Sequence, residues 1–399
     1  MLCKLTSSFR STRPATRGIA IDWTAWTGIG MATRGSIPKM MELAGIDMLG
    51  PDAGVPVVRR ELTAGGTRGE VVIADRLGLM LDEWNETGGL DPSAVVHGPM
   101  IGADVSMGIH SGLTVRTTLD PAEQGFLRDH AMDGTPLLPG VMGVEAFAEL
   151  ASLPLPGWSV AAVEDVQFDA PFKFYRAQPR TLILRATFRE DGPDLIAECR
   201  LIGTRELRAG LEPQVKTHFR GHVRMRREAA AVAVVTVPPS TSPPIPSDAI
   251  YKVLFHGPAY RVLAEERVSG LHASGVLTAN LPDDHTPMTS AFALQPRLME
   301  LCLQTSGIWE LTTSGRLALP LGIERVEAAS AGTPAVGAVT AQATAREDGA
   351  FDVVVTDEAG AVLVRMLGYH SIALPGGGDA DAIRLLQAAA SAEGAPSRQ

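Results

Sequence analysis

The chain contains 399 residues, of which 45% are hydrophobic and 20% are charged, and it carries a net charge of −10 at pH 7. This length allows more than one domain, and the composition is typical of a globular protein. The net negative charge argues against nucleic acid as a partner, because phosphate binding requires a positively charged surface.

The three cysteines, Cys3, Cys199 and Cys302, lie far apart and form no CxxC pair. They therefore argue against a disulfide framework and a thiolate metal site, and they suit a reducing compartment. The sequence has no apolar run long enough to span a membrane, and its first residues lack the apolar core of a signal peptide. We therefore predict a cytoplasmic protein that binds neither metal nor membrane.

Changes in composition divide the chain into five segments. Residues 1–85 mix Gly, Arg and Trp without a clear period, and residues 95–228 show mostly strand patterns around one apolar helix. Residues 229–247 contain a proline-rich stretch, which we interpret as a linker because proline lacks the N–H group that helices and central strands need. The strand and helix pattern returns over residues 248–375. Residues 376–399 are rich in Ala, Gly and Ser, which predicts a flexible tail with one short helix.

The first segment contains the sequence AIDWTAWTGIGMA at residues 20–32. It resembles a segment near the C-terminus of the ketoreductase domains of polyketide synthases, and residues 54–56 and 69–74 continue the resemblance. No GxGxxG motif follows a strand pattern, and the resemblance implies that a ketoreductase active site would lie upstream of Met1. We therefore expect residues 1–85 to be a partial ketoreductase-like α/β fragment that binds no dinucleotide. The alternative is an unrelated N-terminal extension.

The densest pattern of the chain is FLRDHAMDGTPLLPG at residues 126–140. Histidine is the side chain whose ordinary pKa lets it act as a base near pH 7, so His130 is a candidate for removing a proton next to a thioester. Gly134 would let the backbone come close to a substrate. The loop leads into a helix that begins at Gly140, whose free N–H groups can polarise a carbonyl group. The alternative is a solvent-facing histidine in a turn rich in Pro and Gly.

This pattern matches the HxxxGxxxxP motif of the dehydratases of polyketide and fatty acid synthases, with His130, Gly134 and Pro139 in the three fixed positions. The resemblance, together with the patterns below, extends over residues 96–375. It implies a double-hotdog fold of the α+β class, in which two antiparallel sheets each wrap a central helix. It also implies that His130 is catalytic and that Gly134, Pro139 and Gly140 contact the substrate.

Two features of the sequence indicate a duplicated fold. ATFREDG at residues 186–192 recurs as ATAREDG at 343–349, an offset of 157, and each copy has the Asp-Gly turn between strand-like runs that is typical of a β-hairpin. Mostly apolar helices are predicted over residues 140–151 and 297–311, at nearly the same offset. We therefore predict that each half contains one helix wrapped by its own antiparallel sheet.

A second candidate motif, FHGPAY, lies at residues 255–260. It resembles the GPxF/Y part of a dehydratase motif that lines the substrate tunnel, which implies substrate contacts for Gly257, Pro258 and Tyr260. The tyrosine that usually precedes GP in this motif is replaced by His256. The alternative is an ordinary turn between a loop and a strand.

A third candidate motif, QPRLMELCLQ, lies at residues 295–304 in the second predicted helix. It resembles the helix of the second hotdog, where an acid and a Gln or His are four residues apart, and Glu300 and Gln304 keep that spacing on one helix face. The usual acid of the family is aspartate, so glutamate displaces the carboxyl group by one methylene. We expect burial to raise the pKa of Glu300. The alternative is a Glu–Gln pair on the helix surface.

Two shorter patterns support the resemblance. VHGPMIG at residues 96–102 is similar to the opening motif of dehydratase domains, and LPLGIERV at residues 319–326 is similar to a family strand that begins with Leu-Pro. Both are also compatible with an ordinary turn that leads into a strand.

The resemblance implies a hydro-lyase that removes water from a β-hydroxyacyl thioester and leaves an α,β-unsaturated thioester. His130 would remove the α-proton, protonated Glu300 would donate to the departing hydroxyl group, and Gln304 would hold Glu300 or that hydroxyl group. The phosphopantetheine of an acyl carrier protein would carry the substrate, and no other cofactor is required. Further polyketide synthase domains and a second copy of the chain, in a homodimer, are the other expected partners.

Other functions are compatible with these residues. One alternative is a binding or structural double hotdog without activity, for which the glutamate at position 300 is the main argument. Another is a hotdog thioesterase or a double-bond isomerase, and the HxxxGxxxxP motif suits isomerisation better than hydrolysis. The positions of His130 and Glu300 in opposite halves favour the dehydratase.

Overall fold

The computed structural model of the protein describes most of the chain, and its residues group into two compact units, Met1–Gly89 and Leu90–Gln399. The described residues are 2–13, 15–63, 69–78, 90, 98–108, 112–205, 214–227, 233–235, 242–329, 332–374 and 379–391.

The first unit contains both helices and strands. Its two strands pair in parallel, and parallel strands are normally covered on both faces. Trp23 and Val72 on these strands are nevertheless at least half exposed, so the described residues of this unit enclose only a small core. Its described elements are α1 (Leu2–Thr12), β1 (Ala20–Trp23), α2 (Ile37–Leu43), α3 (Pro51–Thr63) and β2 (Glu70–Ile73). Its interpretation as a ketoreductase fragment stays a prediction.

The second unit is built on one antiparallel sheet, which has 13 strands among the described residues. Two further short strands, β5 (Ala131–Met132) and β6 (Thr135–Pro136), pair with each other outside it. The strands of the large sheet are, in chain order, β3 (Asp104–Gly108), β4 (Gly112–Leu119), β7 (Ser159–Phe168), β8 (Arg180–Asp191), β9 (Asp194–Arg205), β10 (Gln214–Arg226), β11 (Ile245–Pro246), β12 (Leu263–Ser269), β13 (His272–Leu277), β14 (Ala318–Ala328), β15 (Thr340–Ala345), β16 (Phe351–Thr356) and β17 (Val362–Ala373).

The order of these strands confirms the predicted duplication. It is β11-β12-β13-β15-β16-β17-β14-β7-β10-β9-β8-β4-β3, and the two halves meet where β14 pairs with β7. Counted outward from this junction, β17 corresponds to β10, β16 to β9, β15 to β8 and β13 to β4. The repeated segments 186–192 and 343–349 therefore lie at equivalent hairpins, β8–β9 and β15–β16. The two predicted sheets are joined edge to edge.

Each half has one long central helix, as predicted. α5 (Gly140–Ser152) packs on β7 to β10, and α7 (Pro296–Ser314) packs on β12, β13 and the strands beyond. A short helix, α6 (Ser247–Ile250), lies between them in the chain. Every residue of α5 from Val141 to Ala151 is buried, including Glu145 and Glu149, as expected for a mostly apolar helix that is surrounded by the rest of the fold. α7 extends three residues beyond the predicted end, and it stops at Gly315, whose φ of 68° is the left-handed conformation that commonly ends a helix.

The structure describes part of the proline-rich segment and part of the tail. Residues 236–241 lie outside the described residues, but β11 pairs with β12 at the edge of the sheet, where Pro246 costs no hydrogen bond to a further strand. Near the C-terminus, α8 (Ala380–Ser391) buries Ile383 and Leu386. The predicted flexible tail thus contains a packed helix, while residues 375–378 and 392–399 lie outside the described part. No helix among the described residues is both long and apolar enough to cross a membrane.

Candidate active site

The HxxxGxxxxP motif folds as a short helix, α4 (Gly125–Arg128), followed by the β5–β6 hairpin and then α5. The hairpin turn consists of Asp133 and Gly134, with φ of 50° and 73°. A two-residue turn with both φ values positive is the type that matches the strand twist and favours Asp-Gly. A Cβ atom at Gly134 would meet nothing within 4 Å. The turn therefore accounts for this glycine, and the close approach of its backbone to a substrate stays a prediction.

The end of the motif starts α5. Pro139 is the N-cap residue, and Gly140 is the first residue of the helix. A Cβ atom on Gly140 would lie 3.0 Å from a ring carbon of Phe168, so glycine here permits close packing of the helix on β7. The sequence-based expectation that the helix begins at Gly140 is confirmed.

His130 is partly buried and has a defined orientation. Its Nδ1 lies 3.0 Å from the carbonyl oxygen of Leu137. Because a carbonyl oxygen only accepts hydrogen bonds, Nδ1 carries the proton of the neutral ring, and the lone pair is left on Nε2. Burial, with a smaller contribution from the charge of His256, lowers the pKa of His130 to about 4. The ring is therefore neutral near pH 7 and able to accept a proton.

Asp129 holds the second candidate motif beside His130. Its carboxylate accepts a hydrogen bond from the backbone N–H of Ala259 at 2.8 Å, and its carbonyl oxygen accepts one from Gly257 at 2.7 Å. The backbones of His130 and His256 also form a β-bridge. A Cβ atom on Gly257 would lie 2.7 Å from an oxygen of Asp129, so only glycine fits here without a shift. These contacts fix the GP turn of the second half next to His130 of the first half.

Glu300 and Gln304 lie on the buried side of α7, so the alternative of a surface pair is wrong. The amide nitrogen of Gln304 donates to Oε1 of Glu300 and to the carbonyl oxygen of Tyr260, both at 2.9 Å. The amide oxygen of Gln304 accepts from the hydroxyl group of Tyr251 at 2.7 Å. That hydroxyl group in turn accepts from the backbone N–H of Leu263 at 2.8 Å. Gln304 is therefore held in one orientation.

The expectation that burial raises the pKa of Glu300 is wrong in its net direction. Burial is the largest single influence and does raise the pKa, but the hydrogen bond and charge of His256, with smaller contributions from His130 and Gln304, outweigh it. The pKa of Glu300 therefore lies below its ordinary value. The cause is a neighbour that sequence reasoning did not assign to the site, because a contact between residues 256 and 300 depends on the tertiary fold.

His256 lies between His130 and Glu300. Its Nε2 is 3.1 Å from Oε1 of Glu300, and its ring centre is 5.3 Å from that of His130. Phe255 stacks on it, with ring centres 4.5 Å apart. The only signal for it in the sequence was the missing tyrosine before GP.

Tyr260 completes the candidate site. It is fully buried, and its ring centre is 6.4 Å from that of His130. Its hydroxyl group has no hydrogen-bond partner among the described residues, and burial raises its pKa well above the ordinary value. Tyr260 is therefore a neutral hydroxyl group that can still form a hydrogen bond.

The arrangement combines a neutral imidazole from the first hotdog with a carboxyl group from the second. Such a pair can remove a proton from one atom and deliver one to another. The one cluster of potential metal ligands among the described residues, Cys3, Asp22 and Glu70, belongs to the first unit.

Two family models match the second unit. Residues 98–194 match the model described as the polyketide synthase dehydratase domain, and residues 216–381 match the model described as the polyketide synthase dehydratase N-terminal domain. One component of the polyunsaturated fatty acid synthase of Thraustochytrium sp. is 26% identical over 231 residues, which cover 54% of this chain and 8% of that protein. The chain thus spans less than a tenth of the length of this curated relative.

Solved structures share the fold of the second unit. The dehydratase domain from the CurF module of curacin polyketide synthase has a TM-score of 0.60 at 18% identity. The alignment covers 70% of this chain and 100% of that domain. A trans-AT polyketide synthase dehydratase domain from Brevibacillus brevis has a TM-score of 0.58 at 20% identity, with the same coverage of both chains. These likenesses confirm the double-hotdog fold predicted from the sequence.

Proposed function

Because residues 98–194 and 216–381 match models of the polyketide synthase dehydratase family, we propose that the chain is a hydro-lyase that removes water from a β-hydroxyacyl thioester. The product is an α,β-unsaturated thioester. The observation that carries the proposal is that His130, from the first hotdog, and Glu300, from the second, both lie close to His256.

His130 is the proposed base. Its Nδ1–H is held by the carbonyl oxygen of Leu137, which leaves Nε2 free to accept the α-proton of the substrate. The lowered pKa keeps the ring neutral near pH 7, and a base must be unprotonated before it can act. The electron pair of the broken Cα–H bond then forms the new double bond to Cβ.

Glu300 is the proposed acid. As the bond between Cβ and the hydroxyl oxygen breaks, protonated Glu300 gives its proton to that oxygen, which leaves as water. Gln304 is a positioning residue, because its hydrogen bonds to Tyr251 and Tyr260 fix the amide group that holds Glu300. A proton from solvent and the release of the proton on His130 restore both groups for the next turnover.

The substrate contacts are proposed from both halves of the site. The N–H groups at the start of α5 can polarise the thioester carbonyl as negative charge develops on its oxygen. The hydroxyl group of Tyr260 is a further donor that faces no protein partner among the described residues. The residues proposed to contact substrate are Gly134, Pro139, Gly140, Gly257, Pro258 and Tyr260.

The proposed partners follow from this reaction. The relative from Thraustochytrium is part of a polyunsaturated fatty acid synthase, and the matched structures are domains of polyketide synthases. We therefore infer that other synthase domains and an acyl carrier protein, whose phosphopantetheine carries the substrate, act with this chain. No cofactor beyond that carrier is needed for the steps above. A homodimer and a cytoplasmic location are part of the same proposal.

The test is incubation of the full chain with a 3-hydroxyacyl thioester, both as a small-molecule thioester and on an acyl carrier protein, followed by mass spectrometry. Loss of one water molecule supports the dehydratase. An unchanged substrate in both forms contradicts it and favours a double hotdog without activity. Migration of the double bond in an added enoyl thioester, without dehydration of the hydroxyacyl thioester, would indicate an isomerase.

Substitutions of Glu300 test its role as the acid. Glu300→Gln should lower kcat about 10²- to 10⁴-fold, because the amide keeps the shape but has no acidic proton to donate. Glu300→Asp should retain more activity than Glu300→Gln, because it keeps a carboxyl group. The measurement is kcat by mass spectrometry, with circular dichroism as a control for folding. Equal activities of the wild type and Glu300→Gln would contradict the assignment.

A further inference from the structure

His256 contacts the proposed acid, although the mechanism above gives it no role. It is 7% exposed, and its Nε2 lies 3.1 Å from Oε1 of Glu300, which is 4% exposed. Its backbone is fixed by the bridge to His130 and by a hydrogen bond from Nε of Arg261 to its carbonyl oxygen at 3.0 Å. The backbone contacts with His130 and Arg261 therefore hold the ring of His256 next to Glu300.

The hydrogen bonds distinguish the two oxygens of Glu300. Oε1 accepts from the amide nitrogen of Gln304, whose orientation is set by the hydroxyl group of Tyr251. The same Oε1 faces Nε2 of His256. Among the described residues, no donor contacts Oε2. Since Oε1 already accepts an N–H group, the proton of the acid form of Glu300 belongs on Oε2.

We propose that His256 is a positioning residue for the acid: its Nε2–H holds Oε1 of Glu300, so that Oε2 carries the proton given to the departing hydroxyl group. This inference rests on the proposed function. In the balanced step, the α-proton goes to Nε2 of His130, the Cβ–O bond breaks, and the proton on Oε2 leaves with the hydroxyl group as water. The proton on Nε2 of His256 stays in place and stabilises the carboxylate that forms.

The surroundings of Glu300 support this role. Burial raises its pKa, and the contact with His256 is the main reason that the net pKa falls below the ordinary value. Four other titratable groups interact with Glu300, and burial raises the pKa of each, so that all four are neutral near pH 7: Tyr251, Tyr260, Tyr369 and Cys302. The neighbours that lower the pKa of Glu300 are thus His256, with smaller contributions from His130 and Gln304.

If His256 had only a structural role, both of its ring nitrogens would be expected to form hydrogen bonds. Nδ1 of His256 is buried and has no hydrogen-bond partner among the described residues. The contact of Nε2 with Glu300 is therefore the polar contact that orients the ring, with Phe255 stacked on its face. A proton on Nε2 meets this geometry, because a carboxylate oxygen such as Oε1 of Glu300 can only accept a hydrogen bond.

The test compares three variants of the full chain. His256→Leu removes the donor, and His256→Gln keeps an N–H donor of similar reach. His256→Leu should lower kcat about 10- to 100-fold, the size expected for losing a hydrogen bond to a charged group. His256→Gln should lie closer to the wild type. His272→Leu is the matched control, because His272 is exposed on β13 and lies outside the site.

The pH dependence separates positioning from a merely structural role. The reaction needs protonated Glu300, so kcat/KM declines as the pH rises through the pKa of this group. In His256→Leu, the hydrogen bond from His256 no longer offsets the effect of burial on Glu300, so the pKa of Glu300 rises. The decline of kcat/KM therefore moves to higher pH. An unchanged kcat and an unchanged pH profile in His256→Leu would overturn the inference.

A measurement that needs no catalytic turnover tests the inference even if the chain does not dehydrate the 3-hydroxyacyl thioesters. Nitrogen-15 NMR of labelled histidine should show His256 protonated at Nε2, and Glu300→Ala should shift that N–H signal. Protonation of neutral His256 at Nδ1 alone would overturn the inference, whatever the activity. If the wild type fails to dehydrate while the Nε2–H signal responds to Glu300→Ala, the proposed function fails and the contact between the two residues stands.

Discussion

Protonation states at the candidate site depend on three side chains together. His130 is kept neutral by burial and by the charge of His256, whereas Glu300 is pushed toward its charged form by the same His256. Both pKa values are thus lowered, and perturbed pKa values of neighbouring titratable groups are typical of catalytic sites. The lowered pKa leaves His130 ready to accept a proton, whereas Glu300 must take up a proton before it can act as the proposed acid. The activity should therefore decline as the pH rises through the pKa of Glu300.

Removal of the proposed base is the most direct residue-scale test. His130→Ala should lower kcat/KM for dehydration about 10²- to 10⁴-fold, because a positioned acid–base group contributes this much. Folding should survive, because the change removes little buried apolar surface. The measurements are steady-state kinetics and thermal unfolding, with His272→Ala as the control. Normal dehydration by folded His130→Ala would disprove the catalytic assignment.

His130 should also influence stability as the pH falls. Its pKa is about 4 in the folded chain and near 6.5 when unfolded, so between these values the unfolded chain binds a proton that the folded chain does not. The folded state therefore loses up to about 3 kcal/mol of stability from pH 6.5 down to pH 4. Urea unfolding of His130→Asn should show a smaller loss than the wild type over this window. Parallel curves for the two proteins would contradict the lowered pKa.

At the scale of elements, α5 holds together parts that are distant in the chain. Glu145 on α5 accepts hydrogen bonds from the backbone N–H groups of Ala293 and Leu294, just before α7 begins, and the second is 2.9 Å long. Glu149, one turn later, accepts from Met100 at 3.1 Å. Burial raises the pKa of Glu145 to about 7. The helix of the first hotdog thus fixes where the helix that carries the proposed acid starts.

The turn that joins the two halves of the site offers an element-scale prediction. Gly257→Ala should destabilise the chain by about 1–3 kcal/mol and lower activity, because the added Cβ would overlap Asp129 and push the turn away from His130. The measurements are urea unfolding and kcat/KM.

Gly307→Ala is the matched control for this change. A Cβ atom there meets nothing within 4 Å, and the residue lies inside α7, where alanine is favoured over glycine by about 0.5–1 kcal/mol. It should therefore be neutral or stabilising. Equal effects of the two substitutions on stability would argue against the close contact at Gly257.

At the scale of the molecule, the residues of the candidate site come from both halves of the second unit, and residues 1–89 form a compact unit of their own. Doubly wound folds bind dinucleotides at the carboxyl ends of a larger parallel sheet, with a glycine-rich turn after its first strand. The described residues of the first unit provide a parallel pair of strands, and the sequence has no GxGxxG after a strand pattern.

We therefore predict that the full chain binds no NADPH. Isothermal titration calorimetry with NADPH should give no heat of binding above dilution. A ketoreductase of known NADPH affinity serves as the positive control. Saturable binding with a micromolar Kd would show that the first unit, or another part of the chain, holds a nucleotide site.

Local pattern was enough to predict much of this protein. The helix around Glu300, the duplicated hairpins and the motif around His130 each depend on spacing within a short stretch of chain, and short-range spacing determines secondary structure and which residues share a face. Resemblance then indicated the double hotdog and the pairing of His130 with Glu300.

Only the tertiary structure decided what surrounds these residues. The contact of His256 with Glu300 joins positions 44 apart in sequence, and the bonds from Asp129 to the GP turn join positions 130 apart. Because pKa values depend on burial and on neighbouring charges in space, the net lowering for Glu300 followed from these contacts and not from its position on a helix. The reason for Gly134, a positive φ in a two-residue turn, likewise became visible only with the backbone conformation.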